Sequence, residues 1–349
     1  MTYPGEYTDR ASLGTIAVVG AGMAGVTAAR LLHEQGFSVQ LFEKSRGPGG
    51  RMATRREGEF VFDHGAQHFT ARDDLFQRYV NVWQERGVAS LWRPRLAILE
   101  DNAVKPLEDR ERRYVGVPGM NSLVKAHAMD LPVASESRVT SLVRDGKNWV
   151  LGLAGGQTRG PFFAVILAIP AEQAVTLLDV QPSLQQRAAM ARMHPCIASL
   201  VVFEVDLELN FDAAFVHDSP LVWVARNASK PGRADGECWV LHASPAWSRA
   251  HTADAPDDAA IELLKTFKQH AGVSDATCLF SRGHRWLYSA PDRPLTEGCL
   301  WDADLHIGAC GDWCHSARVE GAFLSGWKLA ERMVASFEAD RLIERRAQS

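Results

Sequence analysis

The sequence predicts an α/β protein of two interleaved domains: a doubly wound, Rossmann-like domain interrupted by a smaller, mainly antiparallel β domain. Three observations predict it. Residues 16–44, IAVVGAGMAGVTAARLLHEQGFSVQLFEK, read as an apolar strand, a glycine turn, a helix, a second apolar strand and a terminal acid. Near the other end, LHIGACGD at 305–312 is an apolar strand closing on Gly-Asp, with a helix from about 320 to 338 behind it. Between them, residues 196–206, 221–226, 238–244 and 278–290 read as strands. The first βαβ unit cannot close a sheet alone, so the late strand is its natural partner, and the middle of the chain is left to build a second sheet.

The glycine turn carries the first functional reading. Gly20, Gly22 and Gly25 stand in G-x-G-x-x-G spacing, and Glu43 ends the following strand. Gly20 permits the tight turn, Gly22 lets the backbone approach a pyrophosphate, and Gly25 lets the helix pack closely on the sheet. The helix end, with Ala24 in its first turn, aims N–H groups and positive dipole at phosphates. Glu43 is placed to accept ribose hydroxyls. Agreement of strands, helix and spaced acid makes a chance glycine loop a poor explanation.

The remaining elements follow in order. A basic, glycine-rich loop occupies 44–56, and EFVFDHG at 59–65 is a short strand. Apolar positions at helical spacing (Leu75, Phe76, Tyr79, Val80, Val82, Trp83) predict a helix over 72–92. Short strands and turns are expected over 93–116, a helix over 118–131, and a hairpin over 137–153 turning at Asp145-Gly146. A buried strand at 162–170 ends at Pro170, a helical pattern runs from 171 to 193, and another helix lies at about 256–271. Residues 1–13 are expected to be a flexible extension.

Composition narrows the function classes. At 349 residues the chain can hold two domains, and 46% hydrophobic with 23% charged residues is ordinary for a globular protein. A net charge of −4 offers no basic field for nucleic acid, and no apolar run reaches membrane-spanning length. The N-terminus lacks a signal-like apolar stretch. Six scattered cysteines, with only Cys310 and Cys314 close together, argue for free thiols in the cytoplasm and against a metal site.

Several motifs resemble those of FAD-dependent oxidases of the amine-oxidase superfamily. These are Gly49-Gly50-Arg51, the turn Asp63-Gly65-Ala66-Gln67, the helix start Gly119-Met120-Leu123, and the closing Gly311-Asp312 with Glu320-Gly321-Ala322. The resemblance implies an FAD-binding domain of the glutathione-reductase/p-hydroxybenzoate-hydroxylase type. In it Asp312 meets the pyrophosphate–ribityl region, and the helix at Glu320 points at the flavin ring. It implies cofactor contacts from Lys44, Gly50, Arg51, His64, Gly65, Ala66, Gln67 and Val139 besides the glycine turn and Glu43. The expected domains are 14–72, 112–170 and 291–342 for FAD, with 73–111 and 171–290 for substrate. Cys310 and Cys314 lie outside the context of covalent flavin attachment, so FAD is expected to be non-covalent.

Within that superfamily the segments DHGAQHFTAR, RWLYSAP and GDWCHSARVEGAFLSG resemble bacterial renalases. That implies an oxidase returning the 2- and 6-dihydro isomers of NAD(P)H to NAD(P)+, with O2 as electron acceptor and hydrogen peroxide as product. No general base is needed, because the product is aromatic and no proton leaves carbon. The resemblance favours Arg226, Asn227, His242 and Trp286 as substrate contacts, with Gln67 and His68 at the flavin edge. Trp286 and Tyr288 share one strand face; they also fit a core pair, and His242 also fits a satisfied core histidine. Arg226 and Asn227 are suited to a carboxamide or phosphate. No counterpart is found for the buried lysine of many amine oxidases, which weighs against a second reading as a flavin amine oxidase. A third reading is a non-catalytic flavin-binding protein.

Overall fold

The computed structural model describes residues 10–101 and 103–348, with side chains through residue 340. The chain divides into two compact units: one holds the chain up to Gly50, His127–Arg192 and the chain from Pro291 on, the other Arg51–Ala126 and Met193–Ala290.

The first unit is built on a six-stranded sheet. Its order is Leu300–Asp302, Ile307–Ala309, Ala164–Leu167, Thr15–Val19, Ser38–Phe42 and Val133–Ala134. All neighbours run parallel except the first pair. The strands TIAVV and AVIL are rich in β-branched residues and, apart from half-buried Thr15, buried, as a sheet covered on both faces requires. The late strand joins this sheet but pairs with Ala164–Leu167, not with the opening strand, so the buried strand expected at 162–170 bridges the two nucleotide motifs. The helix Met23–Glu34 stops at Gly36, whose φ of +85° no helix continues. It packs against the helix Val319–Gln348, which runs ten residues past its expected end. The hairpin Val139–Asp145/Asn148–Leu153 turns at Asp145-Gly146 as expected.

The second unit carries a seven-stranded, mainly antiparallel sheet. Its order is Cys278–Pro291, Met193–Phe203, Cys238–Ala243, Leu221–Arg226, Ala213–Val216, Leu96–Glu100 and Ala103–Pro106. Alternation divides the strands cleanly. Val201, Val224, Trp239 and Leu241 face the helix Pro256–His270 through Leu263 and Phe267. Leu200, Val202, Cys238 and Val240 face Phe62. Phe62 belongs to a hairpin, Thr54–Glu57 with Phe60–Asp63.

Several expectations are corrected. The helix expected over 72–92 spans Asp74–Glu85; Gly87, at φ +69°, ends it, and Ala89–Trp92 instead pairs with Arg113–Gly116. The helix expected from 118 begins at Asn121. Thr54–Glu57, read as loop, is a strand. Of the expected extension, residues 10–13 form a 3-10 turn held by Arg10 Nη1 to Gln35 O at 2.9 Å; residues 1–9 lie outside the described residues. Residues 51–72 and 112–126 belong to the second unit, because Asp63 and Met120 are tied to its interior. Residues 171–192 belong to the first, where the helix Pro182–Ala189 packs beside Leu300–Asp302.

Candidate functional site

In the first unit the glycine turn is set by sterics. Gly20 has φ +103°, and a Cβ there would lie 2.5 Å from the Ala168 carbonyl oxygen. A Cβ on Gly25 would overlap the Gly20 carbonyl oxygen. A Cβ on Gly22 would meet nothing within 4 Å, so space stands open in front of the helix. The N-cap residue, Gly22, has no side chain with which to cap this helix, and Ala24 lies buried in its first turn. A helix begins with N–H groups that have no intrahelical partner. Open space before an uncapped, glycine-lined helix end fits a diphosphate.

Glu43 is buried, and its two oxygens do separate work. Oε2 accepts the Ala21 N–H at 3.0 Å and Oε1 the Ser45 N–H at 2.8 Å. The carboxylate therefore pins the glycine turn to the end of the second strand, and its remaining lone pairs can accept ribose hydroxyls. Backbone bonds from Glu136 to Ser45 and from Ser137 to Glu43 bring the strand starting at Val139 beside this acid. Gly49 donates to Ala21 O at 3.0 Å, laying Gly49-Gly50 over the turn, while Lys44 is exposed. At the closing corner Gly311 N–H is held by Ser325 Oγ at 2.9 Å, and Asp312 Oδ1 accepts the Trp313 N–H at 3.0 Å. Glu320 and Gly321 are buried and Ala322 half-buried in the first turn of the last helix. Cys310 and Cys314 are buried free thiols, pushed by that burial well above the ordinary range.

In the second unit the Arg51 and Asp63–His68 loops are knitted together. Ala66 N–H donates to Arg51 O at 2.9 Å, and a Cβ on Gly65 would overlap that oxygen. The Arg51 guanidinium reaches Ser289 O at 2.9 Å. The His64 carbonyl accepts Trp286 Nε1 at 2.9 Å and His242 Nε2 at 3.2 Å. The His64 ring stacks on Trp286, centroids 4.9 Å apart, and meets His284 edge-on at 4.5 Å. Burial lowers His64 to a pKa of about 3, and His242 and His284 to about 4. All three are neutral near pH 7 and serve as hydrogen-bonding or packing groups rather than acids or bases there.

The structure also buries a lysine that no sequence motif marks. Lys230 Nζ is fully buried and lies 2.9 Å from Gln67 Oε1, 3.0 Å from Asn227 Oδ1 and 3.4 Å from Asp63 Oδ2. Arg233 binds the same Asp63 oxygen at 2.5 Å, and the other oxygen takes Thr54 Oγ1 at 2.8 Å and Met120 N–H at 2.9 Å. One carboxylate thus answers two cations. Burial works against its charge, but Lys230 and Arg233 outweigh burial and hold Asp63 below the ordinary carboxylate value. Burial together with Arg233 lowers Lys230 to about 8. Nothing local marks Lys230: it sits in a Ser-Lys-Pro-Gly turn, and its partners lie more than 160 positions away or three before it.

Three of the expected substrate contacts make bonds within the second unit. Arg226 pairs across the sheet with Trp239, on the helix side, and its guanidinium binds Asp212 at 2.8 Å. His242 and Trp223 lie on the opposite face, since Trp223 pairs with His242 and Ala225 with Val240. Asn227 spends its amide on Val61 O, Asp63 N–H and Lys230. It supports the hairpin. Gln67, likewise, donates to Asp63 O and accepts from Lys230. The His68 ring packs near both Trp92 and Trp223, at centroid distances of 5.9 and 5.4 Å. His242 and Trp286 remain together at the His64 carbonyl. Among the described residues no cluster of His, Cys, Asp and Glu could hold a metal, and no helix is long and apolar enough to cross a membrane.

Comparison with known proteins fits this geometry. Residues 18–83 match the NAD(P)-binding Rossmann-like domain. The chain is 52% identical over 50 residues to a zeta-carotene-forming phytoene desaturase of Myxococcus xanthus, covering 14% of this chain and 10% of that protein. It is 33% identical over 87 residues to a 4,4'-diapophytoene desaturase of Staphylococcus aureus, covering 22% and 17%. The chain therefore spans less than a fifth of these relatives' length. Over nearly its whole length it shares its fold with a candidate protoporphyrinogen oxidase from Exiguobacterium sp. 255-15, at a TM-score of 0.73 and 13% identity, covering 93% of this chain and 99% of the other. Putrescine oxidase bound to putrescine aligns at a TM-score of 0.64 and 12% identity, covering 92% and 99%. The fold shared with these two oxidases comprises a Rossmann-like nucleotide domain and a separate β-sheet unit.

Proposed function

We propose that the protein is an FAD-dependent oxidoreductase that oxidises the 2- and 6-dihydro isomers of NAD(P)H to NAD(P)+, with O2 as acceptor and hydrogen peroxide as product. When bound non-covalently, FAD supplies a hydride acceptor at N5. The chain's own residues position and tune. The uncapped helix at Gly22 receives the diphosphate, Glu43 keeps the turn in shape and accepts ribose hydroxyls, and Asp312 and the helix start at Glu320-Gly321-Ala322 serve the far end of the cofactor. Loss of hydride leaves an aromatic ring and no proton to abstract from carbon. The low-pKa histidines of the second unit are consistent with that, being poor proton acceptors near neutrality.

The observation that carries the substrate reading is the meeting of two segments of renalase-like sequence. DHGAQHFTAR and RWLYSAP are over 200 residues apart, yet Trp286 is hydrogen-bonded to and stacked on His64. The test is anaerobic mixing of purified protein with borohydride-treated NAD+ and, separately, with monoamines and putrescine. Rapid bleaching of the yellow flavin by the dihydronicotinamide mixture is expected. Bleaching by an amine alone reverses the assignment. The second reading, flavin amine oxidase, stays in the test because Lys230 is a buried lysine.

A further inference from the structure

We propose that Trp223 and His68 form a subsite for the carboxamide of the nicotinamide ring, an inference that rests on the function proposed above. The pairing Phe215–Trp223–His242 runs across three neighbouring strands of the seven-stranded sheet, on the face turned away from the helix Pro256–His270. The Trp223 ring centroid lies 4.8 Å from that of Phe215 and 5.4 Å from that of His68, and the Trp92 and His68 centroids are 5.9 Å apart. Phe215 is 36% exposed, so this aromatic row reaches solvent at one end.

Two polar atoms within the row have no partner among the described residues: Trp223 Nε1 and His68 Nδ1. Trp223 is 7% exposed. An indole N–H buried without an acceptor is costly, and such an orphan marks a place where something outside the chain completes the bond. His242 Nε2, on the neighbouring strand, and Trp286 Nε1, on the sheet's edge strand, are already spent on the His64 carbonyl.

The two orphans are chemically complementary. Trp223 can only donate. Burial, and then the charges of Arg113 and Lys230, lower His68 to a pKa of about 3, so its ring is neutral near pH 7. In the tautomer with hydrogen on Nε2, its Nδ1 accepts. A donor and an acceptor on rings 5.4 Å apart match a primary carboxamide, whose carbonyl takes the indole N–H and whose NH2 gives to Nδ1. The flanking aromatic faces suit the flat ring that bears the amide. Adenine presents a similar donor–acceptor edge at the other end of the same dinucleotide, so the test separates the two ends.

The experiment is calorimetric titration of the FAD-loaded full chain with NAD+, its 3-acetylpyridine analogue (no NH2) and its hypoxanthine analogue (altered adenine). We expect NAD+ to bind about tenfold tighter than the acetylpyridine analogue, the value of one well-made hydrogen bond, and like the hypoxanthine analogue. His68→Phe removes the preference over the acetylpyridine analogue. Trp223→Phe, which keeps an aromatic ring and the melting temperature, weakens all three dinucleotides about tenfold. Three outcomes overturn the subsite: no preference in the wild type, a preference falling on the hypoxanthine analogue, or a Trp223→Phe protein binding like wild type because a water completes the indole. Flavin bleaching by dihydronicotinamides without these binding differences sinks the subsite alone. The binding differences without bleaching sink the proposed function alone.

Discussion

Glu43 and Asp63 are both buried carboxylates, twenty positions apart, and they do opposite kinds of work. Glu43, in the first unit, binds two backbone N–H groups, at Ala21 and Ser45, one of them in the glycine turn it stabilises. Asp63, in the second, gathers two cations from 167 and 170 positions away as well as a backbone N–H and a hydroxyl. The difference is between an acid that shapes its own neighbourhood and an acid that joins distant segments. A local acid costs little loop closure and leaves a spacing pattern in the sequence. A distant one leaves none.

The largest expected effect comes from removing the Asp63 charge. Asp63→Asn leaves two buried cations without a counter-charge and should cost about 3–5 kcal/mol, lowering the melting temperature by about 10 °C. Glu43→Gln loses only charge-assisted bonds to backbone and should cost about 1–3 kcal/mol, with weaker flavin retention after gel filtration. Equal melting losses for the two variants would erase the contrast.

Next comes the glycine turn. Gly25→Ala drives a Cβ into the Gly20 carbonyl and should cost about 1–3 kcal/mol and most of the bound flavin. Gly22→Ala meets open space, so the fold should hold within about 1 kcal/mol while flavin retention falls. A melting scan beside the ratio of flavin to protein absorbance reads both. Flavin retained in full by Gly22→Ala would mean that no phosphate lies there.

The smallest effect sharpens the account of Asp63. Lys230→Met keeps Arg233 on the carboxylate, so it should cost much less than Asp63→Asn. Lys230 has a folded pKa of about 8, below the ordinary 10.5. Between those values the unfolded chain holds a proton that the folded chain has released, so stability should rise with pH across that window. Urea melts at pH 8 and pH 10 should show this rise in the wild type and less of it in Lys230→Met. An identical pH response in both proteins would remove Lys230 as its source.

The dinucleotide half was legible because its parts are local and their reasons steric: Gly20, Gly25 and Glu43 act on atoms that the βαβ path brings back at once. The Gly311-Asp312 corner was legible as a motif, and the hairpin at Asp145-Gly146 as a turn. The hairpin at Thr54–Asp63 was half read, since Thr-Arg-Arg-Glu has no apolar alternation and becomes a strand only by pairing with Phe60–Asp63. The face of Arg226 was not legible because it depends on register: its neighbour in the sheet is Trp239.

By itself the sequence determined the α/β class, the glycine turn with its acid, the closing Gly-Asp corner and the presence of a second, mainly antiparallel sheet. These follow from short-range sterics and from periodicities that each segment carries alone. Only the tertiary structure decided that Lys230 lies buried on Asp63, that Asn227 and Arg226 are spent on framework bonds, and that Trp223 and His68 keep unanswered polar atoms. Such partnerships depend on which distant side chains meet once water is excluded, and a linear pattern has no term for that.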